Sequence, residues 1–315
     1  MPPRRRVPKP PPKPKFPPAR RVKEIERTYI AKRRLPRMRA ARALSGRAAE
    51  LHIKAELRLF ERKDVLTKSY PAKDHVIICE GDSWFNHPFL HDIPEQLRYF
   101  GYSVLHSNYP GKLLQESLDQ EKFLAPLKDA RKAQIKALLL SGGGNDLINW
   151  KKGNAAFSPI FRNAGPGHAP EDYIDAAKVT VALGEMTQCL EGIADKLRDA
   201  KAAKLPVLLH GYDYISPKKY GPSPFKGTWV DRQMDAIGAA ADAQFRKRIT
   251  AKLQDAWMQA YKDICERLGW HFIAAQNLVK GRWHDEIHPT DFAFYDVSAV
   301  YWYALHELGI LPSGS

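Results

Sequence analysis

The chain has only three cysteines in 315 residues, Cys79, Cys189 and Cys265, and they stand far apart. That is too sparse for a disulfide framework, and no Cys-x-x-Cys pair points to zinc. They read as thiols in a reducing compartment. No apolar run approaches the roughly 20 residues that a membrane helix needs. The opening stretch, MPPRRRVPKPPPKPKFPPARR, carries charge and proline but no apolar segment. It does not match a standard cleavable secretory signal, so the expected location is cytoplasmic, with a non-classical export route left open. Hydrophobic residues at 44% and charged residues at 27% fit a soluble globular chain with a core large enough for an enzyme.

What is abundant is positive charge, and it is concentrated. The formal net charge is +15. Residues 1–49 hold 17 Lys and Arg against two acids, Glu24 and Glu26, so the remaining 266 residues are neutral in balance. Residues 1–20 are also dense in proline and read as an extended or disordered arm. Residues 21–70 turn to Glu, Lys, Arg, Ala and Leu, a basic helical extension interrupted at Pro36 and near Ser45–Gly46. Such an arm suits either a polyanion or acidic partner engaged through residues 1–49, or a solvated tether. Only Phe16 and Tyr29 are aromatic before residue 60, which gives no stacking platform for nucleic-acid bases.

From residue 71 to 315 short apolar runs alternate with amphipathic segments. The runs at 75–79 (HVIIC), 103–107 (SVLHS), 136–141 (KALLLS), 206–210 (PVLLH) and 270–274 (WHFIA) predict five strands. Helices are expected over 94–100, 113–132 with a break at Pro126, 171–203, 230–268 and 292–308. This alternation predicts a parallel sheet covered on both faces. Irregular stretches near 150–170 and 211–229 read as loops beside a site, because ligands bind outside the carboxyl ends of such strands.

Three strand ends carry chemistry-bearing residues. The first strand runs into Glu80-Gly81-Asp82-Ser83-Trp84-Phe85. Ser83 there is either a nucleophile within reach of a base or part of a plain turn. The third runs into Ser141-Gly142-Gly143-Gly144-Asn145-Asp146. The glycines allow close backbone approach to a ligand and Asn145 offers an amide, the alternative being a glycine-rich turn. Leu147 follows the Asp, and no Lys-Ser/Thr is present, so neither a dinucleotide fingerprint nor a P-loop is formed. Near the end stands Trp283-His284-Asp285-Glu286-Ile287-His288-Pro289. Asp285 can orient the His288 imidazole. A zinc helix through His284 and His288 is the rival, opposed by Asp285 where that motif needs Glu and by Pro289. A third reading makes His288 a packed loop residue.

Together these stretches resemble the SGNH hydrolases, the GDSL esterase/lipase family. Gly81-Asp82-Ser83-Trp84 is similar to its first block, Gly143-Gly144-Asn145-Asp146 to its third, and Asp285-x-x-His288-Pro289 to its fifth. Gly111, after the second strand, is the candidate for the second block's glycine. The resemblance implies a three-layer α/β/α sandwich on a five-stranded parallel, flavodoxin-like sheet. It implies an ester hydrolase with Ser83, Asp285 and His288 as catalytic triad. Ser83, Gly111 and Asn145 would form the oxyanion hole, with no metal and no cofactor. No GxSxG elbow surrounds Ser83, which separates the chain from the common α/β-hydrolases.

Family members act on small esters, acylated sugars and lipids, and the motifs select none of these. Trp84, Tyr212 and Trp283 lie near the motifs and are expected to touch substrate, core packing being the alternative. The competing functional reading is a binding or structural protein whose basic arm engages a polyanion, the hydrolase-like body acting as a docking module.

Overall fold

The computed structural model describes residues 76–87, 90–128, 130–149, 158–217 and 229–311. The expected arm (1–20) and basic extension (21–70) lie outside the described residues, as do Phe89 and Trp150 and parts of both expected loops.

The apolar runs form strands within a residue or two of their expected places. In chain order the elements begin with strand β1 (Val76–Glu80), helix α1 (Ile93–Tyr99), strand β2 (Ser103–His106) and helix α2 (Leu114–Gln120). Two 3₁₀ turns (Lys122–Leu127 and Ala130–Gln134) lead into strand β3 (Ile135–Leu140) and helix α3 (Gly144–Asn149). A 3₁₀ turn at Pro170–Tyr173 precedes helix α4 (Ala176–Asp199), strand β4 (Val207–His210) and helix α5 (Asp231–Ala236). Helix α6 (Ala243–Leu268), strand β5 (His271–Ile273) and helix α7 (Asp291–Glu307) complete the described chain.

The five strands form one parallel sheet in the order β2-β1-β3-β4-β5. This is the flavodoxin-like order. Helices α1 and α7 pack together on one face, and α2, α4 and α6 pack together on the other. The burial pattern follows from that sandwich. Every residue of β1 and β4 is buried, while edge strands β2 and β5 are partly open. Continuous apolar runs such as Val76–Cys79 and Leu138–Leu140 therefore fill both layers of the core at once. All three cysteines are buried free thiols.

Two expected helices change, and one short helix is additional. Residues 113–132 form one short helix and two 3₁₀ turns, because Glu121 adopts a left-handed φ of 50° before Pro126 is reached. The long helix expected over 230–268 is two helices. Gly238, at φ 69°, leaves the helical path, and the Asp242 side chain restarts it by accepting the Phe245 N–H at 2.6 Å. Arg246 clamps that break, donating to Asp231 Oδ1 and Asp235 Oδ1 at 2.6 Å each and to the Ala239 carbonyl. Lastly, the glycine-rich turn at 141–146 passes directly into α3 at Gly144.

One buried ion pair governs the crossing between β1 and the loop after β2. Lys112 Nζ donates to Glu80 Oε1, the Ser107 hydroxyl donates to Glu80 Oε2, and both charged side chains are 1% exposed. Lys112 also donates to the Ser107 carbonyl at 3.2 Å. Removing one partner of such a pair strands the other charge in the interior. Glu80→Gln is expected to lower unfolding stability in urea by about 3–5 kcal/mol. Adding Lys112→Met to that variant should recover part of the loss. A Glu80→Gln midpoint equal to wild type would contradict this account.

Candidate active site

The carboxyl ends of β1, β3 and β4 converge on one carboxylate. Past β1 the chain turns sharply, with the Phe85 and Asn86 N–H groups both donating to the Asp82 carbonyl at 3.0 Å. The Asp82 side chain points inward and is 2% exposed. It accepts from the Trp84 N–H at 3.0 Å, from the Ser141 hydroxyl after β3 at 2.7 Å, and from the Tyr212 hydroxyl after β4. Burial pushes the Asp82 carboxyl above its ordinary range, and the Tyr212, Ser141 and Trp84 bonds oppose that rise. The turn so fixed presents Ser83 on its outer side.

Ser83 meets a histidine 205 residues away. His288 Nε2 lies 2.9 Å from Ser83 Oγ, and His288 Nδ1 lies 3.0 and 2.8 Å from the two oxygens of Asp285. Asp285 is fully buried and also accepts the N–H groups of Ile287 and His288 at 3.0 and 2.8 Å. Burial would lift this carboxyl, but the facing His288 and the backbone donors outweigh it and hold Asp285 below the usual carboxylate range. With the proton on Nδ1 directed at Asp285, Nε2 is left as the acceptor facing the serine.

The loop that carries His288 is a tight turn. His284 donates its N–H to the His288 carbonyl at 2.8 Å, and Trp283 pairs with Pro289 across the turn. The helical spacing that a His284–His288 zinc site requires is therefore not present. The Trp84 indole N–H donates to the Ile287 carbonyl at 3.0 Å and ties the serine turn directly to the histidine turn.

Asn145 opens α3 at the same rim. Its Nδ2 donates to the Lys112 carbonyl at 3.2 Å, so the buried Glu80–Lys112 pair also holds the loop that Asn145 touches. Asp146 anchors both segments by accepting the Gly143 N–H at 3.1 Å and the Leu114 N–H at 3.1 Å. Glycine is needed at 143, where φ is 94° and a Cβ would stand 2.2 Å from the Tyr261 hydroxyl. Gly111 has φ 82°, is exposed, and precedes the Lys112 carbonyl that Asn145 contacts.

Ser83, Trp84, Asn145 and Tyr212 line one cavity. Gly111 and Trp283 do not line it; Trp283 sits half-buried at the base of the histidine turn. Trp84 is almost wholly buried, its ring stacked on His210 and edge-on to Tyr212 and Phe294. It thus serves the core as well as the cavity wall.

Several neighbours of the site carry no motif signal. The His87 ring stands edge-on to His288 with centroids 4.5 Å apart, and the Trp229 ring does the same from another side at 5.5 Å. Trp229 is held by Glu286, whose carboxylate accepts the Val230 and Asp231 N–H groups at 2.9 and 2.6 Å. Ser141 and His210 form a second serine–histidine contact, 2.8 Å long, at 2% and 0% exposure. His87, Asp285 and His288 are also close enough for their nitrogen and oxygen atoms to surround a cation. Both Asp285 oxygens, however, already accept protein N–H groups, an arrangement that orients an imidazole.

No family model matches the chain, and no curated protein matches it. It is similar in outline to several solved structures. An extracellular lipase from Streptomyces rimosus is 15% identical, with 72% of this chain and 97% of that chain covered and a TM-score of 0.47. Phospholipase A1 from Streptomyces albidoflavus is 14% identical, with 75% and 99% covered and a TM-score of 0.47. An acetylxylan esterase from Geobacillus stearothermophilus is 12% identical, with 78% and 100% covered and a TM-score of 0.45.

The Glu286 carboxyl behind Trp229 has a consequence for pH. Burial raises it to about 7, against the bonds from Val230 and Asp231. Between its ordinary value of 4.5 and about 7, the folded chain holds a proton that the unfolded chain releases. Stability should therefore fall as pH rises through that window, with the Glu286 contribution constant above it. Asp146, raised by burial to about 6, adds a fall of the same sign. Urea unfolding across the window should show a shallower decline in Glu286→Gln than in wild type. Identical slopes would refute the assignment.

Proposed function

We propose that the protein is a serine ester hydrolase of SGNH type, in which Ser83 is the nucleophile, His288 the general base and acid, and Asp285 the group that orients His288. The observation that carries this reading is the continuous contact from Ser83 Oγ through both nitrogens of His288 to the buried Asp285 carboxylate. A serine hydroxyl is a weak nucleophile alone and needs a base at hydrogen-bond distance.

In the first half-reaction Ser83 Oγ attacks the ester carbonyl carbon while its proton passes to His288 Nε2. The tetrahedral intermediate collapses as the C–O bond to the alcohol breaks, and the imidazolium returns the proton to the departing oxygen. A water then attacks the acyl-serine by the same route, giving the acid and free Ser83. Asp285 keeps its charge throughout, which the low position of its carboxyl favours.

The developing oxyanion would be held by the backbone N–H groups of Ser83 and Gly111 and by the Asn145 side chain. Asn145 spends one amide hydrogen on the Lys112 carbonyl and keeps a second for the substrate. The lipase and acetylesterase names of the similar folds agree with this chemistry. The positive charge concentrated in residues 1–49 suits an acidic or polyanionic partner for that segment. Among the described residues no helix is long and apolar enough to cross a membrane.

Ser83→Ala is expected to lower hydrolysis of a short p-nitrophenyl ester by about 10⁶-fold while leaving the circular dichroism unchanged. A small fluorophosphonate probe should label wild type at Ser83 and not the variant. Retained turnover in the variant would end the assignment. Separately, Asn145→Ala should reduce kcat by about 10²–10³-fold with little change in KM. An unchanged kcat would remove Asn145 from the oxyanion hole.

A further inference from the structure

Resting on the hydrolase reading above, the cavity beside Ser83 also specifies what kind of ester fits. It encloses about 570 Å³ of atom-free space, its open mouth included. Apart from the reacting groups its walls are mainly large apolar side chains, among them Ile148, Phe161, Ile215, Val230, Leu253 and Trp257. Three of its other polar wall groups are engaged elsewhere. Gln254 donates to the Asp213 carbonyl at 2.8 Å and accepts the Ile215 N–H at 3.1 Å. Thr250 donates to the Lys247 carbonyl of its own helix at 3.1 Å, and the Tyr212 hydroxyl faces Asp82. The Trp257 indole N–H is buried without a hydrogen bond, its polar neighbour being the Tyr261 hydroxyl.

A sugar ring placed there would lose water from several hydroxyls and find few partners in return. A hydrocarbon chain loses nothing of that kind and gains about 0.8 kcal/mol for each methylene buried. The side of the scissile bond is fixed by the imidazole. His288 must deliver its proton to the leaving oxygen, so the alcohol lies toward His288, His87 and Trp229. Neither His288 nor His87 lines the cavity, whereas Asn145, on the oxyanion side, does. We infer that the cavity is an acyl pocket and that the preferred substrates are esters of linear, medium-length aliphatic acids, not acetyl esters of sugars.

The test uses the full-length chain and p-nitrophenyl esters from acetate to dodecanoate, so that only the acyl part varies. We expect kcat/KM to rise about fourfold per methylene, the equivalent of about 0.8 kcal/mol. Hexanoate should exceed acetate by about 250-fold before longer chains level off or decline. Leu253→Trp, which fills the wall of the cavity, should move the optimum toward shorter acids, so that the hexanoate-to-acetate ratio of kcat/KM falls at least tenfold. Should that variant misfold, the wild-type series decides by itself. A flat series, or acetylated xylose as the best substrate, overturns the pocket assignment. If the fluorophosphonate still labels Ser83 in that case, the hydrolase reading stands without it. Absence of both labelling and turnover on every ester overturns both.

Discussion

The site depends on where the Asp82 carboxylate is held. It sits beneath the turn that carries Ser83 and takes hydrogen bonds from the turn itself, from Ser141 after β3 and from Tyr212 after β4. Strands β1 and β3 are neighbours, and β3 and β4 are neighbours, so a single side chain can reach all three strand ends. Its burial is costly, as the upward push on its carboxyl shows. Three convergent donors offset that cost, and they do so only when the turn has one conformation. With Asp82 held inward, the next residue, Ser83, faces the cavity and His288 Nε2.

The other half of the site is fastened to this turn with few degrees of freedom. The Trp84 indole reaches the Ile287 carbonyl, one residue before the histidine, so the same segment supplies the serine and a tether for its base. The Glu80–Lys112 pair performs the matching task on the Asn145 side. Each tether crosses between segments that are distant in sequence and close only because parallel strands end at one edge of the sheet. Rigid placement of this kind removes the entropy cost of aligning a hydroxyl, an imidazole and a carboxylate during reaction.

Much of this architecture was legible beforehand, for a physical reason. Strands buried on both faces must be apolar throughout, so Val76–Cys79 and Leu138–Leu140 announce themselves without an alignment. Short turn motifs at strand ends were legible as well, because glycine, aspartate and serine mark sharp turns. Helix breaks were harder to read. Gly238 ends a helix within a stretch whose apolar spacing continues across it, and the Asp242 cap together with Arg246 bridging Asp231 and Asp235 holds the break. Contacts such as His87 or Trp229 against His288 had no sequence signal at all. They join residues of ordinary type at separations of 201 and 59 positions, and nothing local distinguishes them from core or surface aromatics.

The two serine–histidine pairs share a contact and differ in environment. Ser141 and His210 are as close as Ser83 and His288. His210, however, has only the neutral Gly211 carbonyl at its other nitrogen, and burial drives its pKa down to about 3. It cannot hold the proton that a nucleophilic serine must give up, and the Ser141 hydroxyl is bonded to Asp82 with no room for an incoming carbonyl. His288 has the Asp285 carboxylate at its far nitrogen, which stabilises the imidazolium at the moment it forms. Ser83 lines the cavity, and Ser141 is not among the residues that line it. The Ser141–His210 pair therefore acts as a positioning strut beneath the pair at the cavity, the same residue types set in different surroundings by one carboxylate and one opening.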